Sequence, residues 1–346
     1  MNSLIIAPQW IGDAVMSEPL VRVLALRGEQ LTVVALPWVA PVYRAMAGVA
    51  EVIEAPFQHG GLQWRQRRNM AQQLRGRFQT AYVLPNSFKS ALLPWLAGIP
   101  RRIGRLGEQR YGLLTRRLPN PPRDDRPPMV DFYWALAGDG AVSEAPAPHL
   151  QTPADASGVL NAHGLQSGAY GVFAPGAEFG PAKRWPAQHY AALARQLGQT
   201  VVLLGSPKEA QEAAAIATAV PAEAARVVNL IGQTHLAQAL GVIAHAKWVV
   251  SNDSGLMHVA AAFGVPQVAV FGSSSPLHTP PLNARARVVW LKEDARYQPA
   301  LDCAPCFQRT CPLGHLRCLH DVQPERVAQA LGTVVSLAVQ APIRGA

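Results

Sequence analysis

The chain has 346 residues, of which 49% are hydrophobic and 15% are charged, and its formal net charge is +9. This length is expected to divide into about two domains, and the composition excludes a disordered chain. The N-terminal MNSLIIAPQWIGD is not typical of a signal peptide, and no apolar stretch reaches the ~18 residues of a membrane span, so the sequence predicts a cytoplasmic protein.

Strand-like and helix-like segments alternate along the whole chain. In the first half, strands are predicted at 4–7, 31–36, 51–54 and 80–84, and a helix at 17–27 with Ser17 as its N-cap. In the second half, strands are predicted at 170–174, 200–205, 227–229, 247–251, 267–271 and 287–291. The helices there are predicted at 187–197, 208–218, 236–246 and 255–263. This alternation predicts an α/β protein with two doubly wound parallel sheets.

The stretch 138–168 is rich in Pro, Ala and Gly and is typical of a linker. We therefore predict two Rossmann-like domains that face a cleft, the expected ligand site. Their predicted bounds are 1–155 and 165–323, followed by a C-terminal helix within 324–346 that packs back on the first domain.

The segment WVVSNDSGLMHVAAAFGVPQVAVFGSSSP, residues 248–276, places polar residues where a strand ends and a helix begins. Ligands of open α/β sheets bind outside the carboxyl ends of strands, and helix N-termini favour phosphate. A ligand is therefore expected between Asp253 and His258, with Ser254 on the same helix face as His258. A carboxylate repels phosphate, so Asp253 is expected to meet a sugar hydroxyl or to order the loop. The simpler alternative is an N-cap followed by a core histidine.

Three further segments combine a strand end with polar residues. In APQWIGDAVMSEP, Asp13 could accept a proton from a substrate hydroxyl, or it could only order the first helix. In FAPGAEFGPAKRWP, Lys183 and Arg184 could neutralise a diphosphate leaving group, or they could be exposed loop charges. The third segment, LPNSFKS, carries Asn86, Ser87 and Lys89.

Arginines form two runs in the first half of the chain, one within 65–77 and one within 101–126. Such runs are usually solvated faces. Together they also suit an anionic partner, which could be nucleic acid, an anionic lipid surface or a phosphorylated substrate.

All four cysteines lie within DCAPCFQRTCPLGHLRCLHD, at positions Cys303, Cys306, Cys311 and Cys318. In a cytosolic protein this grouping indicates thiols or a metal site and not a disulfide framework. The spacing differs from the paired CxxC of a zinc ribbon, although His315 and His320 could also be ligands. A zinc or iron–sulfur centre and a compact surface loop without metal are the two alternatives.

Taken together, these segments resemble the ADP-heptose:lipopolysaccharide heptosyltransferases of glycosyltransferase family nine. The matching stretches are IGDAVMSEPL, YVLPNSFKSAL with AGIPRRIG, RYGLL, PGAEFGPAKRWP, and NDSGLMHVAAA with SSP and TPPL. They occur in chain order up to about residue 282. The resemblance implies the GT-B fold, with the nucleotide sugar held mainly by the second domain. LPNSFKS and GPAKRWP are most similar to the heptosyltransferase II group, and heptosyltransferase I or another core heptosyltransferase is the alternative.

The resemblance also implies a reaction in the lipopolysaccharide core biosynthesis of Gram-negative bacteria. Heptose would pass from ADP-L-glycero-D-manno-heptose, with inversion, to the first heptose on Kdo-lipid A. Asp13 corresponds to the general base and Lys183 to the basic residue near the donor phosphates. The implied donor-binding positions are Glu178, Lys183, Asp253, Ser254, Gly255 and His258. The expected acceptor-binding positions are Asn86, Ser87, Lys89, Arg101 and Arg102.

Neither a cofactor nor a catalytic metal is implied. The arginine runs are expected to meet the anionic acceptor and to make peripheral contact with the cytoplasmic face of the inner membrane. The Cys-rich segment is the one place where the chain departs from the resemblance, since only some relatives are expected to contain it.

Two other classes of protein share some of these features. A nicotinamide oxidoreductase also has Rossmann-like domains, but IIAPQWIGDA and VVLLGSPKEA lack the GxGxxG that should follow a strand. A nucleic-acid-binding protein with a cysteine metal site would fit the net charge and the cysteines. Its basic runs should contain aromatics interleaved in a stacking pattern, or a recognised reading motif, and these runs show neither. We therefore expect no nucleic-acid partner.

Overall fold

The structure is a computed structural model that describes residues 1–57, 61–122, 126–138, 144–154 and 156–340. Residues 338–340 are described by their backbone only. The chain forms two compact units, Met1–Gln151 and Thr152–Ala346. Each unit contains one six-stranded sheet. Among the described helices, none is long and apolar enough to cross a bilayer.

The described residues of the first unit form six strands and six α-helices. The strands are β1 (Asn2–Ile6), β2 (Gln30–Ala35), β3 (Val49–Glu54), β4 (Thr80–Val83), β5 (Arg101–Arg105) and β6 (Arg116–Leu118). The helices are α1 (Ile11–Met16), α2 (Glu18–Leu26), α3 (Ala40–Arg44), α4 (Trp64–Leu74), α5 (Phe88–Leu96) and α6 (Met129–Trp134). The sheet order β3-β2-β1-β4-β5-β6 reverses direction between β1 and β4. All neighbouring strands are parallel.

The second unit repeats this architecture. Its strands are β7 (Gly171–Ala174), β8 (Val201–Leu203), β9 (Val227–Asn229), β10 (Trp248–Asn252), β11 (Gln267–Val270) and β12 (Ala286–Val289). Its helices are α7 (Ala156–Ala162), α8 (Ala187–Leu197), α9 (Ala210–Ala219), α10 (Leu236–Ala244), α11 (Gly255–Ala262), α12 (Arg317–His320) and α13 (Pro324–Gln340). The parallel order β12-β11-β10-β7-β8-β9 reverses between β10 and β7. The predicted pair of doubly wound parallel sheets is thus confirmed.

Aromatic packing fixes the start of the second sheet. The ring of Trp248 in β10 lies 5.7 Å from that of Phe173 in β7. A Cβ atom at Gly171 would lie 2.1 Å from the Trp248 ring, so only glycine leaves room for the indole. Beyond β7, the rings of Trp185 and Tyr190 are 4.7 Å apart in the same core. This packing stabilises the loop between β7 and α8, which carries Lys183.

The final helix, α13, packs on the sheet of the second unit. Its residues Val327, Leu331 and Val334 belong to the same buried cluster as Val268 and Val270 of β11. This corrects the expectation that the C-terminal helix packs back on the first domain. The apolar face of the helix is already buried within its own unit.

Helix α1 begins sooner after β1 than predicted. Asp13 therefore lies in the first turn of this helix and not in a loop. Ser17 precedes α2 as predicted, but its side chain makes no N-cap bond. Its hydroxyl instead donates to the Ala14 carbonyl at 2.7 Å and lies 2.9 Å from the Tyr43 hydroxyl.

Strands β5 and β6 were not predicted, because each begins with arginines and lacks apolar alternation. They are the last two strands on one side of the first sheet. Arg102 of β5 donates to the carbonyls of Ile99 at 2.5 Å and Leu113 at 2.6 Å. Guanidinium groups thus satisfy loop carbonyls beside the sheet, and this second arginine run is not simply a solvated face.

Two arginines of the runs are buried. Arg67 donates to the carbonyls of Leu62 at 2.7 Å and Lys89 at 2.9 Å. Arg110 is 0% exposed and donates to the Pro85 carbonyl at 2.6 Å. A second Arg110 nitrogen lies 3.2 Å from Asn86 Oδ1. These contacts tie the loop after β4 to the loop after β5.

We expect Arg110→Met to lower the free energy of unfolding by about 2 to 3 kcal/mol, because it leaves buried carbonyl oxygens without donors. Urea unfolding measures this loss. Arg101→Met is the matched control, since Arg101 is exposed and should change stability by no more than about 0.5 kcal/mol. Equal losses in the two variants would contradict the structural role of the buried guanidinium.

Candidate functional site

Polar side chains meet where the strand order of the second sheet reverses. Lys183 follows β7, and Asp253 follows β10, the strand next to it in the sheet. Lys183 Nζ lies 2.5 Å from Asp253 Oδ2. Such switch points are the usual ligand sites of open α/β sheets. The sequence placed both residues at strand ends, and the structure brings them into contact.

The Asp253 carboxylate joins three loops. It is 5% exposed, and besides Lys183 it accepts a hydrogen bond from Ser274 Oγ at 2.5 Å. Thr279 Oγ1 lies 3.3 Å from its other oxygen. Ser274 and Thr279 both follow β11. These two hydroxyls were not predicted as partners of Asp253.

The start of α11 offers polar groups without internal partners. Ser254, and not Asp253, occupies the N-cap position, and its side chain makes no capping bond. The Ser254 hydroxyl is buried and, among the described residues, has no hydrogen-bond partner. Gly255 begins the helix, so its N–H is among the groups that a helix leaves unpaired. A buried hydroxyl without a partner is rare, and this one indicates a ligand contact.

His258 lies one turn into α11 and is 5% exposed. Burial lowers the pKa of its imidazole to about 4. The Asp253 carboxylate opposes this change and the Lys183 ammonium adds to it. The imidazole is therefore neutral at neutral pH, where it can donate or accept a hydrogen bond without adding charge.

We expect this histidine to make stability fall in acid. Between pH 6.5 and about 4 the unfolded chain binds a proton that the folded chain excludes, so stability decreases as the pH falls through this window. The loss at pH 5 should be about 2 kcal/mol relative to pH 7. Urea unfolding of wild type and His258→Gln at both pH values measures it. The same loss in both proteins would exclude His258 as its cause.

Two charged residues of the loop between β7 and α8 pair with side chains other than Asp253. Arg184 was predicted to join Lys183 at a diphosphate, but it forms an ion pair with Glu212 and lies 3.9 Å from Glu209. Glu178 pairs with Lys208 at the surface. The structure therefore brings Lys183, and not Arg184, to Asp253. The predicted contact of Glu178 with the donor stays a prediction.

Asn252, the last residue of β10, was missed as a site residue. Its Oδ1 accepts a hydrogen bond from the backbone N–H of Trp185 at 3.0 Å and lies 3.2 Å from the Tyr190 hydroxyl. Its Nδ2 donates to the Pro175 carbonyl at 2.6 Å. These bonds join both ends of the Lys183 loop to β10. The polar residue inside the VVSND run was the only signal in the sequence.

In the first unit, Asp13 lies beyond the carboxyl end of β1, beside the point where that sheet reverses. The Tyr133 hydroxyl of α6 donates a hydrogen bond to Asp13. Burial raises the pKa of Tyr133 well above its ordinary value, and the Asp13 charge raises it further. Tyr133 therefore stays protonated and orients the carboxylate. No motif near Asp13 predicted this partner, which lies 120 residues further along the chain.

The predicted acceptor residues fall into two places. Three of them follow β4, the strand next to β1, and so lie on the same edge of the sheet as Asp13. These three are Asn86, Ser87 and Lys89. Arg101 and Arg102 lie at the amino end of β5, level with Thr80 at the amino end of β4. Because the strands are parallel, these two arginines lie at the opposite edge, and the structure does not bring them to Asp13.

Comparisons with known proteins identify the family of the chain. The family model "Glycosyltransferase family 9 (heptosyltransferase)" matches residues 67–317. Lipopolysaccharide heptosyltransferase 2 of Escherichia coli (strain K12) is 43% identical over 354 residues, which cover 97% of this chain and 99% of that protein. Lipooligosaccharide heptosyltransferase 2 of Haemophilus ducreyi (strain 35000HP) is 38% identical over 97% of this chain and 100% of its own.

The solved structure of E. coli ADP-heptose lipopolysaccharide heptosyltransferase II matches with a TM-score of 0.84 at 40% sequence identity. The match covers 99% of this chain and 100% of that chain. It confirms the predicted GT-B fold class. The chain therefore belongs to glycosyltransferase family 9, the heptosyltransferases.

Proposed function

We propose that this protein is an inverting glycosyltransferase of lipopolysaccharide core biosynthesis that transfers L-glycero-D-manno-heptose from ADP-heptose to the first heptose of the inner core. The observation that carries the proposal is the 43% identity to lipopolysaccharide heptosyltransferase 2 over 97% of the chain. That similarity spans both units and includes the segments around Asp13, Lys183 and Asp253. Heptosyltransferase I remains the alternative within the family.

The donor, ADP-heptose, binds at the switch point of the second sheet in this proposal. Lys183 lies in the loop between β7 and α8, where its ammonium can pair with a diphosphate oxygen while keeping the Asp253 carboxylate close. The Ser254 hydroxyl and the N–H of Gly255 can donate to the same phosphates. Asp253 would repel phosphate, so its role is to position Lys183, Ser274 and Thr279, with a donor hydroxyl as a further partner.

Asp13 acts as the general base on the acceptor. It removes the proton of the attacking heptose hydroxyl, whose oxygen forms a bond to the anomeric carbon of the donor. The bond from that carbon to the diphosphate oxygen breaks, and its electron pair leaves with ADP. Attack from the face opposite the leaving group inverts the anomeric configuration. Lys183 and the α11 N–H groups offset the charge that develops on the diphosphate.

The acceptor, Kdo-lipid A bearing one heptose, is anionic and anchored in a membrane. Asn86, Ser87 and Lys89 lie on the edge of the first sheet that carries Asp13, which makes them candidates to bind its sugar. Exposed Trp64 and Arg65 of α4 combine an aromatic ring with positive charge, which suits peripheral contact with an anionic leaflet. The protein should co-sediment with vesicles that contain anionic lipid and not with zwitterionic ones.

Complementation tests the proposed function. Expression of the chain in an E. coli K12 strain that lacks lipopolysaccharide heptosyltransferase 2 should restore a core with the second heptose, visible by mass spectrometry of the lipopolysaccharide. The Asp13→Asn variant at equal expression is the negative control. A core that stays at one heptose with the wild-type chain would refute this acceptor assignment.

A further inference from the structure

The four cysteines of the second unit converge on one small cavity. The cavity has a volume of about 20 Å³ and is lined by Cys303, Cys306, Cys311 and Cys318, together with Ala182 and Ser273. All four thiols are free, and Cys318 is buried. Cysteines spread over 16 positions of an irregular segment thus line the same cavity.

The loop after Cys311 is shaped to hold a charged sulfur. The backbone N–H groups of Leu313, Gly314, His315 and Leu316 lie around the Cys311 sulfur, and the Gly314 N–H donates to the Cys311 carbonyl at 3.2 Å. Gly314 with φ +72° and Leu316 with φ +47° let the chain turn back on that sulfur. Backbone N–H groups beside a metal-bound thiolate stabilise its charge.

Ser273 gives an independent indication of a bound group. It lines the same cavity and is 1% exposed. Its hydroxyl is buried and, within the described part of the chain, has no hydrogen-bond partner. A hydroxyl beside four thiols can donate to a metal-bound sulfur, which would satisfy it.

The thiols line the cavity without yet meeting at one point. Among the described residues, no three His, Cys, Asp or Glu side chains stand at the spacing of a finished metal site. Four thiolates on one zinc ion would lie about 3.8 Å apart, given a Zn–S bond of about 2.3 Å. Metal binding would therefore draw the sulfurs inward, as expected where metal binding is coupled to local folding.

We propose that Cys303, Cys306, Cys311 and Cys318 bind a thiophilic metal, zinc or iron, in a centre with four thiolate ligands. Thiolates select these metals over magnesium or calcium. Each thiol gives up its proton as its sulfur binds the metal, so loading releases protons and changes no oxidation state when the metal enters as zinc or ferrous iron. The centre is separate from the transfer reaction and does not depend on the proposed function.

The centre would stabilise the loop that carries Lys183. The Ala182 N–H donates to the Arg309 carbonyl at 3.1 Å, and the Phe307 N–H donates to the Ser273 carbonyl at 2.7 Å. A Cβ atom at Gly180 would lie 2.5 Å from the Arg309 carbonyl oxygen. The cysteine segment is thus packed directly against the residues next to Lys183 and Ser274.

Elemental analysis of the full chain tests this proposal. Protein purified without chelators, once in air and once under nitrogen, should contain about one zinc or one iron per chain, or several irons with equal sulfide if the centre is a cluster. Cys303→Ser and Cys311→Ser should lose most of this metal, and Thr310→Ser, an exposed neighbour of Cys311, should keep it. Metal far below one per chain in both wild-type preparations, even after incubation with zinc or ferrous salts, overturns the proposal.

If the serine variants fail to fold, thiol labelling of the wild-type protein tests whether the four cysteines bind a metal. In folded wild-type protein, iodoacetamide should modify the four cysteines slowly before metal is removed by a chelator and rapidly afterwards, as counted by intact mass. Equal labelling rates before and after the chelator would contradict thiolate ligation.

Discussion

Replacing Asp13 by asparagine is expected to lower the rate of heptose transfer by about a hundredfold to ten-thousandfold. Asparagine has nearly the same shape and can still accept the hydrogen bond from Tyr133, but it cannot take a proton from the acceptor hydroxyl. Asp13 belongs to the first unit, whereas Lys183 and Asp253 belong to the second. Binding of ADP-heptose should therefore be nearly unchanged.

Calorimetric titration with ADP, together with steady-state transfer rates, separates these two effects. Asp131→Asn is the matched control, because Asp131 is a carboxylate of the same unit whose Oδ1 accepts the Ala145 N–H at 3.0 Å. Its transfer rate should stay within a few-fold of wild type. An Asp13→Asn protein as active as this control would remove Asp13 from the mechanism.

Lys183→Ala is expected to weaken ADP-heptose binding and to lower kcat by about a hundredfold to a thousandfold. The ammonium group is the cation that the structure places against Asp253 at the switch point, and its loss removes a partner of the leaving diphosphate. It also leaves the Asp253 carboxylate, 5% exposed, with the hydroxyls of Ser274 and Thr279 as its remaining side-chain donors among the described residues. Thermal stability should therefore fall as well.

Lys208→Ala is the matched control for this variant. Lys208 is a nearby lysine of the same unit whose side chain is 68% exposed and paired with Glu178. Because an exposed ion pair contributes little, both donor binding and kcat should stay close to wild type. If Lys183→Ala bound ADP-heptose and turned over as well as Lys208→Ala does, Lys183 would have no role at the phosphates.

Much of the fold could be predicted because apolar runs and helix periodicity repeat regularly along the chain. Strands β5 and β6 could not, since RRIGR and RRL carry no alternating apolar pattern. Arg102 and Arg117 in these strands donate to the carbonyls of Leu113 and Tyr111, which only the folded chain brings near. Without these strands, the edge of the sheet on which Arg101 and Arg102 lie could not be assigned.

The candidate site was predictable where it depends on strand ends. Lys183 and Asp253 follow neighbouring parallel strands, so their meeting follows from topology. The direction of Arg184 depends on Glu212, 28 residues later in α9, and no local pattern reports such a contact. Likewise, the Tyr133 hydroxyl reaches Asp13 from α6, a helix that was not predicted.

Transfer by the purified protein to defined acceptors tests the proposed function most directly. The protein is incubated with ADP-heptose and Kdo-lipid A that carries either one heptose or none, and ADP release and product mass are recorded. We expect ADP release and a gain of one heptose with the one-heptose acceptor, and neither with the heptose-free acceptor. Transfer to the heptose-free acceptor alone, or to neither acceptor, would contradict the proposed function.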